Sequence, residues 1–170
     1  KDGNDIVIID FDLEAPGLQT FDIFADKRHP KFGLLEYVNE YVQSVKENDA
    51  KVPQNIERFL YQADQKSIKY FTDATSLAQA ELVEKGPKGK HASTHQGKIW
   101  LMPARGKASD VNPTSINWEH LYENQNGYFL MEELKAQIEA YTDADYLFID
   151  SRTGFSDHSF ICTNQLADAL

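Results

Sequence analysis

Cysteine is almost missing from this 170-residue chain: Cys162 stands alone. That excludes an internal disulfide framework and a cysteine-built zinc site. Basic residues are also scarce, 17 against 27 acidic ones, for a net charge of −10. A broad nucleic-acid surface needs clustered Lys and Arg to neutralise phosphates, so this balance argues against one. No apolar run approaches the ~20 residues of a membrane span, and no signal-peptide pattern opens the sequence. Internal repeats and linkers are missing too. What is present is 41% apolar and 12% aromatic residues, enough to pack one domain over residues 1–170. The expectation is an acidic, soluble, cytoplasmic domain.

Three short apolar runs read as strands: Ile6–Ile9, Ile99–Met102 and Tyr146–Ile149. None alternates polar with apolar residues, which suits parallel strands covered on both faces. Between them lie helical patterns. The clearest runs from Gly33 to Asn48, where Leu34, Leu35, Tyr37, Val38, Tyr41, Val42 and Val45 recur at helical spacing. Residues 128–141 are next, with shorter candidates at 55–62 and 75–84. Strands alternating with helices predict an α/β domain, a doubly wound and mostly parallel sheet with flanking helices. Residues 85–98, rich in lysine and glycine, read as a solvated surface loop. A contact to phosphate or an acidic partner is the sharper alternative there.

Chemistry concentrates where strands end. Ile6-Val7-Ile8-Ile9 delivers Asp10, and Asp12 follows two residues later, ahead of the Pro16-Gly17 turn. At a period of two, both carboxylates leave the same side of an extended chain. Two like charges this close need a cation or hydrogen-bond donors to offset them. A hydrated Mg²⁺ sharing phosphate oxygens is one answer. Capping of the turn by both aspartates is the other. Tyr146-Leu147-Phe148-Ile149 then ends in Asp150, followed by Ser151-Arg152-Thr153-Gly154. Ligands of open α/β sheets sit outside the carboxyl ends of strands, so two strands ending in aspartate shift the balance toward a site. The middle strand likewise exits into a turn, Pro103-Ala104-Arg105-Gly106.

The order strand-Asp-Phe-Asp-Leu-Glu-Ala-Pro-Gly-Leu, strand-Met-Pro-Ala, strand-Asp-Ser-Arg-Thr-Gly resembles the ParA/MinD-like P-loop ATPases of the SIMIBI class. It is most similar to a bacterial branch whose P-loop reads Lys-Gly-Gly-x-Gly-Arg and whose Walker B strand ends in Asp-Ser-Arg-Thr-Gly. The likeness spans the chain and is weakest over residues 19–97, read as a variable helical region. It implies ATP and Mg²⁺ as ligands. By this resemblance Asp12 orients the attacking water, and Asp10 lies near Mg²⁺ and the phosphate-binding lysine. Asp150 holds Mg²⁺ through water, and the Gly154 backbone senses the γ-phosphate. Arg152 and Thr153 replace the family's usual Pro or Ala. Arg152 either stabilises transferring phosphate charge or pairs with a neighbouring aspartate, the latter being favoured. Dimerisation around nucleotide, or membership of a larger multidomain protein with a bacterial signalling or defence role, is implied in the same way.

One departure is large. The Gly-Lys pairs at 89–90, 97–98 and 106–107 are followed by His91, Ile99 and Ala108, and none completes G-x-x-x-x-G-K-[ST]. The resemblance places a P-loop, with its strand and helix, before the first Asp-x-Asp. The chain therefore reads as starting late and, at its uncapped helical end, stopping early. ATP hydrolysis is not expected from it alone. Two rival functions remain: a non-catalytic interaction module on a degenerate ATPase fold, and a phosphotransferase using Asp12 as base toward an acceptor hydroxyl. Other constellations are weak. His91 and His95 are four apart but lack a third ligand. Asp157-His158 with Ser156 or Ser159 lacks the nucleophile turn of a hydrolase. Cys162 reads as core, and Tyr37, Tyr41, Phe59 and Tyr61 as packing faces.

Overall fold

A computed structural model describes residues 3–24, 31–64, 97–107, 109–151 and 161–168. The three expected strands form and are mutually parallel. Strand β1 (Ile6–Asp10) lies between β3 (Ile99–Met102) and β4 (Tyr146–Asp150). A short strand β2 (Tyr61–Gln62) adds antiparallel to β3, giving the order β2-β3-β1-β4. The fold is thus α/β with a mostly parallel sheet.

The register is pinned from the amino end of the sheet. The Asp5 carboxylate accepts the Lys98 N–H at 2.8 Å, and the Asp145 carboxylate accepts the Asp5 N–H at 2.8 Å. Gly97 passes so close to β1 that a Cβ there would sit 2.1 Å from the Asn4 carbonyl oxygen. With that end held, a one-residue slip would turn every side chain to the wrong face. Ile6 therefore faces both Ile99 and Tyr146, and at the other end Asp10 faces Asp150.

Helix α1 (Leu34–Lys46) follows the predicted apolar spacing and buries Leu34, Leu35, Tyr37, Val38 and Tyr41. Helix α3 (Gly127–Thr142) buries Leu130, Met131, Leu134 and Ile138. Both pack with Val7, Ile9, Trp100 and Met102 of the sheet in one core. Each fully buried aliphatic there contributes about 1.5–3 kcal/mol. Tyr37, Tyr41, Phe59 and Tyr61 are all buried packing residues, with Tyr37 and Phe59 meeting edge to face at 5.2 Å.

Three elements differ from expectation. Residues 55–62 make only a single 3-10 turn, Ile56–Arg58, before β2. Asn55 enters it in the left-handed region at φ 61°, and backbone pairing of Tyr61–Gln62 with β3 ends it. The unanticipated helix α2 (Trp118–Asn124) starts on an Asn117 cap that accepts the His120 N–H at 2.9 Å. The tail forms a π-helical turn, Ile161–Leu166. The candidate helix at 75–84 and most of the basic loop lie outside the described residues.

The opposite face of the sheet is covered unevenly. Phe24, Tyr61, Ala63 and Leu101 form a small cluster beside Ile8 and Ile99. On β4, Tyr146 and Phe148 point to this same side, stack at 6.1 Å, and remain 52% and 53% exposed. Among the described residues the outer edge of β4 carries no further strand. No helix among them is long and apolar enough to cross a membrane.

Candidate functional site

The carboxyl edge of the sheet brings three of the predicted residues together. Asp10 ends β1 and Asp150 ends the neighbouring β4, paired in register, with the Phe11 N–H donating to the Asp150 carbonyl at 2.8 Å. Asp10 is fully buried, whereas Asp150 is exposed. The Asp10 carboxylate accepts the Asp12 N–H at 3.1 Å and the Leu18 N–H at 3.4 Å. Asp12, half-buried, accepts the Ala15 N–H at 3.1 Å. β1 ends at Asp10, so the turn rather than the strand pleat places Asp12.

The geometry shows the capping alternative directly. The aspartates cap the turn over residues 11–18, and Asp10 also lies beside the Asp150 carboxylate of the neighbouring strand. Burial is the main force on Asp10, pushing its carboxyl from 3.8 up to about 6. The backbone donors Asp12, Leu18 and Gly17 oppose the rise, and the Asp150 charge adds to it. An acid raised this far at a strand end is under electrostatic tension that a cation would relieve.

Hard carboxylate oxygens of this kind suit Mg²⁺, which keeps several waters and takes one or two carboxylates plus phosphate oxygens. Among the described residues no three His, Cys, Asp or Glu side chains converge to hold a metal on their own. Any cation here would thus need water or ligand oxygens to complete its shell. Arg152 and Gly154 lie outside the described residues, as do His91, His95, Asp157 and His158. Cys162 is buried, and burial pushes its thiol up to about 12, as befits core packing rather than nucleophilic chemistry.

A second arrangement on this edge was not anticipated. Glu36, in the first turn of α1, is buried and accepts the Gly33 N–H at 2.6 Å, the Gly106 N–H at 2.8 Å, and the Ser109 hydroxyl. The Leu34 and Leu35 N–H groups donate to the Pro103 and Ala104 carbonyls at 2.9 Å each. The start of α1 is thereby tied to the β3 exit loop, which satisfies the Leu34 and Leu35 donors of its first turn. Glycine is required where the two backbones touch: a Cβ on Gly33 would lie 2.2 Å from the Pro103 oxygen, and one on Gly106 1.8 Å from the Lys31 oxygen. The sequence signal was Gly33-x-x-Glu36, a capping-box spacing at a helix start.

No known protein family, curated protein or solved structure matches the chain.

Proposed function

We propose that this chain is the Mg-ATP-handling core of a ParA/MinD-like regulatory ATPase, a slow nucleotide-dependent switch. The observation that supports it best is the pairing of Asp10 with Asp150 at the carboxyl ends of adjacent parallel strands, with Asp12 in the following turn. On this reading the sheet is doubly wound, with helices on both faces. Asp150, with Asp10 beside it, would hold Mg²⁺ through its water shell. Mg²⁺ and ATP, when bound, supply an electrophilic γ-phosphate whose developing charge is neutralised. Asp12 would orient the attacking water. By the resemblance, the Gly154 backbone would sense the γ-phosphate, and Arg152 would pair with a neighbouring aspartate or else stabilise the transferring charge.

The sequence contains no G-x-x-x-x-G-K-[ST] loop, and in such proteins that loop provides most phosphate affinity. This reading assigns the phosphate cradle to a further strand and loop. A strand added in parallel to the outer edge of β4 would end beside Asp150. On this reading, the chain without such a loop does not hydrolyse ATP. The test uses the longest native form of the protein: Asp12→Ala leaves ATP binding intact and removes hydrolysis. Loss of binding and hydrolysis together would overturn the water-orienting role.

A second reading, a non-catalytic interaction module, draws on the exposed Tyr146–Phe148 face. It requires that the native protein bind no nucleotide with Mg²⁺ present, and calorimetry with a non-hydrolysable ATP analogue separates the two.

A further inference from the structure

A cleft of about 550 Å³ opens at the carboxyl end of β3, between the turn at 17–20 and the loop at 103–109. β3 and β4 flank β1 on opposite sides, so this cleft and the Asp10–Asp150 pair occupy different parts of the edge. We propose that the cleft binds the phosphoryl group of a small phosphate ester, at a site separate from the carboxylates.

Charge is the first reason. Arg105 and Lys107 line the cleft, and none of its lining residues is acidic, in a chain with 27 acidic residues. Among the described residues neither cation is engaged in an ion pair. Lys51 and Arg58, by contrast, are occupied: Lys51 pairs with Asp49, and Arg58 pairs with Glu40 while lying over the Phe32 and Phe59 rings. The nearby Glu36 charge is met by the Gly33 and Gly106 N–H groups and the Ser109 hydroxyl. An Arg fork beside a Lys point charge suits a dianionic tetrahedral group better than a planar monoanion.

Rigidity is the second reason. Gly106 donates to Glu36 and its backbone abuts that of Lys31, while the Pro103 and Ala104 carbonyls accept from α1. The two cations therefore ride a loop held before any ligand arrives, which lowers the ordering cost of binding. Size is the third. A volume of about 550 Å³ far exceeds a lone phosphate ion and falls in the range of small-molecule pockets. Gln19 offers a polar contact, and Tyr61 and Leu101 offer an apolar wall for the body of the ester. The turn at 17–20 also touches the other site, since the Leu18 N–H donates to Asp10.

The test needs neither ATP nor Mg²⁺, so its outcome is independent of the ATPase reading. Phenyl phosphate is titrated into the 170-residue chain by calorimetry and by amide NMR shifts, with inorganic phosphate and benzoate as comparison arms. Phenyl phosphate is expected to bind more tightly than either and to move the Thr20, Gly106 and Lys107 amides. Arg105→Gln and Lys107→Gln should each weaken it about tenfold, the effect of losing one charge-assisted contact. Both side chains are exposed, so the fold survives and circular dichroism checks it. Lys46→Gln, an equal charge change at the end of α1, should leave affinity unchanged. No binding, equal binding of benzoate or of inorganic phosphate, or undiminished affinity in the R105Q/K107Q double variant overturns the proposal.

Discussion

Replacing Asp10 by asparagine should stabilise this protein near neutral pH and lose that effect in acid. Asp10 is fully buried, and its carboxyl is pushed from 3.8 to about 6, first by burial and then by the charge of Asp150. The folded state thus holds a proton more tightly than the unfolded chain does. The contribution of Asp10 to stability is most favourable below about pH 4 and declines as pH rises through about 6, where the buried group ionises. A rise of this size corresponds to about 3 kcal/mol of penalty once ionised. The asparagine of the variant cannot ionise, and its amide oxygen can still accept the Asp12 N–H that Asp10 accepts at 3.1 Å. The longer 3.4 Å bond from Leu18 N–H is lost, at about 1 kcal/mol. The net expectation is a gain of about 1–2 kcal/mol at about pH 7, and no gain or a slight loss at about pH 4. Urea unfolding of both proteins at the two pH values measures the difference, and other carboxylates cancel in the comparison. A difference of the same size at both pH values would refute the electrostatic account of Asp10.

Three further outcomes are expected. Glu36→Ala strips acceptors from the Gly33 and Gly106 N–H groups and the Ser109 hydroxyl. It should cost about 3 kcal/mol in urea unfolding, and retention of full stability would show that the tie between α1 and the β3 loop is unimportant. Gly106→Ala puts a Cβ 1.8 Å from the Lys31 oxygen, so the two backbones must part; a loss of about 2 kcal/mol is expected, with a wild-type melting profile as the contrary result. Cys162 is buried with its thiol raised to about 12. A disulfide reagent should therefore label it only as fast as the protein opens, and rapid labelling in native buffer would contradict its core placement.

The strands and the two long helices were legible because each carried a continuous or periodic apolar signal. Val7 and Ile9 are fully buried against α1 and α3, as unbroken strand runs imply. The convergence of Asp10 and Asp150 could also be read, since both end strands of one parallel sheet. What resisted reading depends on tertiary contact. Tyr61–Gln62 looked helical by spacing, but its state is decided by backbone pairing with β3. The cap at Asn117 is a local signal that a search for apolar periodicity passes over. Glu36 was hidden because its partners Gly106 and Ser109 are 70 and 73 residues away. The Arg105–Lys107 cleft has the same origin: the residues opposite it, Gln19 and Thr20, come from the turn that follows β1.

The composition of β4 conflicts with its surroundings, and the conflict bears on the site. Tyr146-Leu147-Phe148-Ile149 is an unbroken apolar run of the kind found where both faces are covered. Yet Tyr146 and Phe148 are about half exposed on one face, and no strand among the described residues pairs with the outer edge. A groove of about 680 Å³ runs along that edge, with Ile138, Cys162 and Leu166 in its wall. Exposed apolar edge strands promote association, and the charges on this one, Asp145 and Asp150, sit only at its ends. The 170-residue chain should therefore self-associate at high concentration, and Phe148→Lys should suppress this. Because the ring is already 53% exposed, the stability cost should stay near 1 kcal/mol or below, roughly half that of a buried aromatic's transfer free energy. Sedimentation velocity across a concentration series reads the association, and urea unfolding reads the cost. Equal self-association in both proteins would place the sticky surface elsewhere. It would also weaken the case that a further strand, with a phosphate-binding loop at its end, docks beside Asp150.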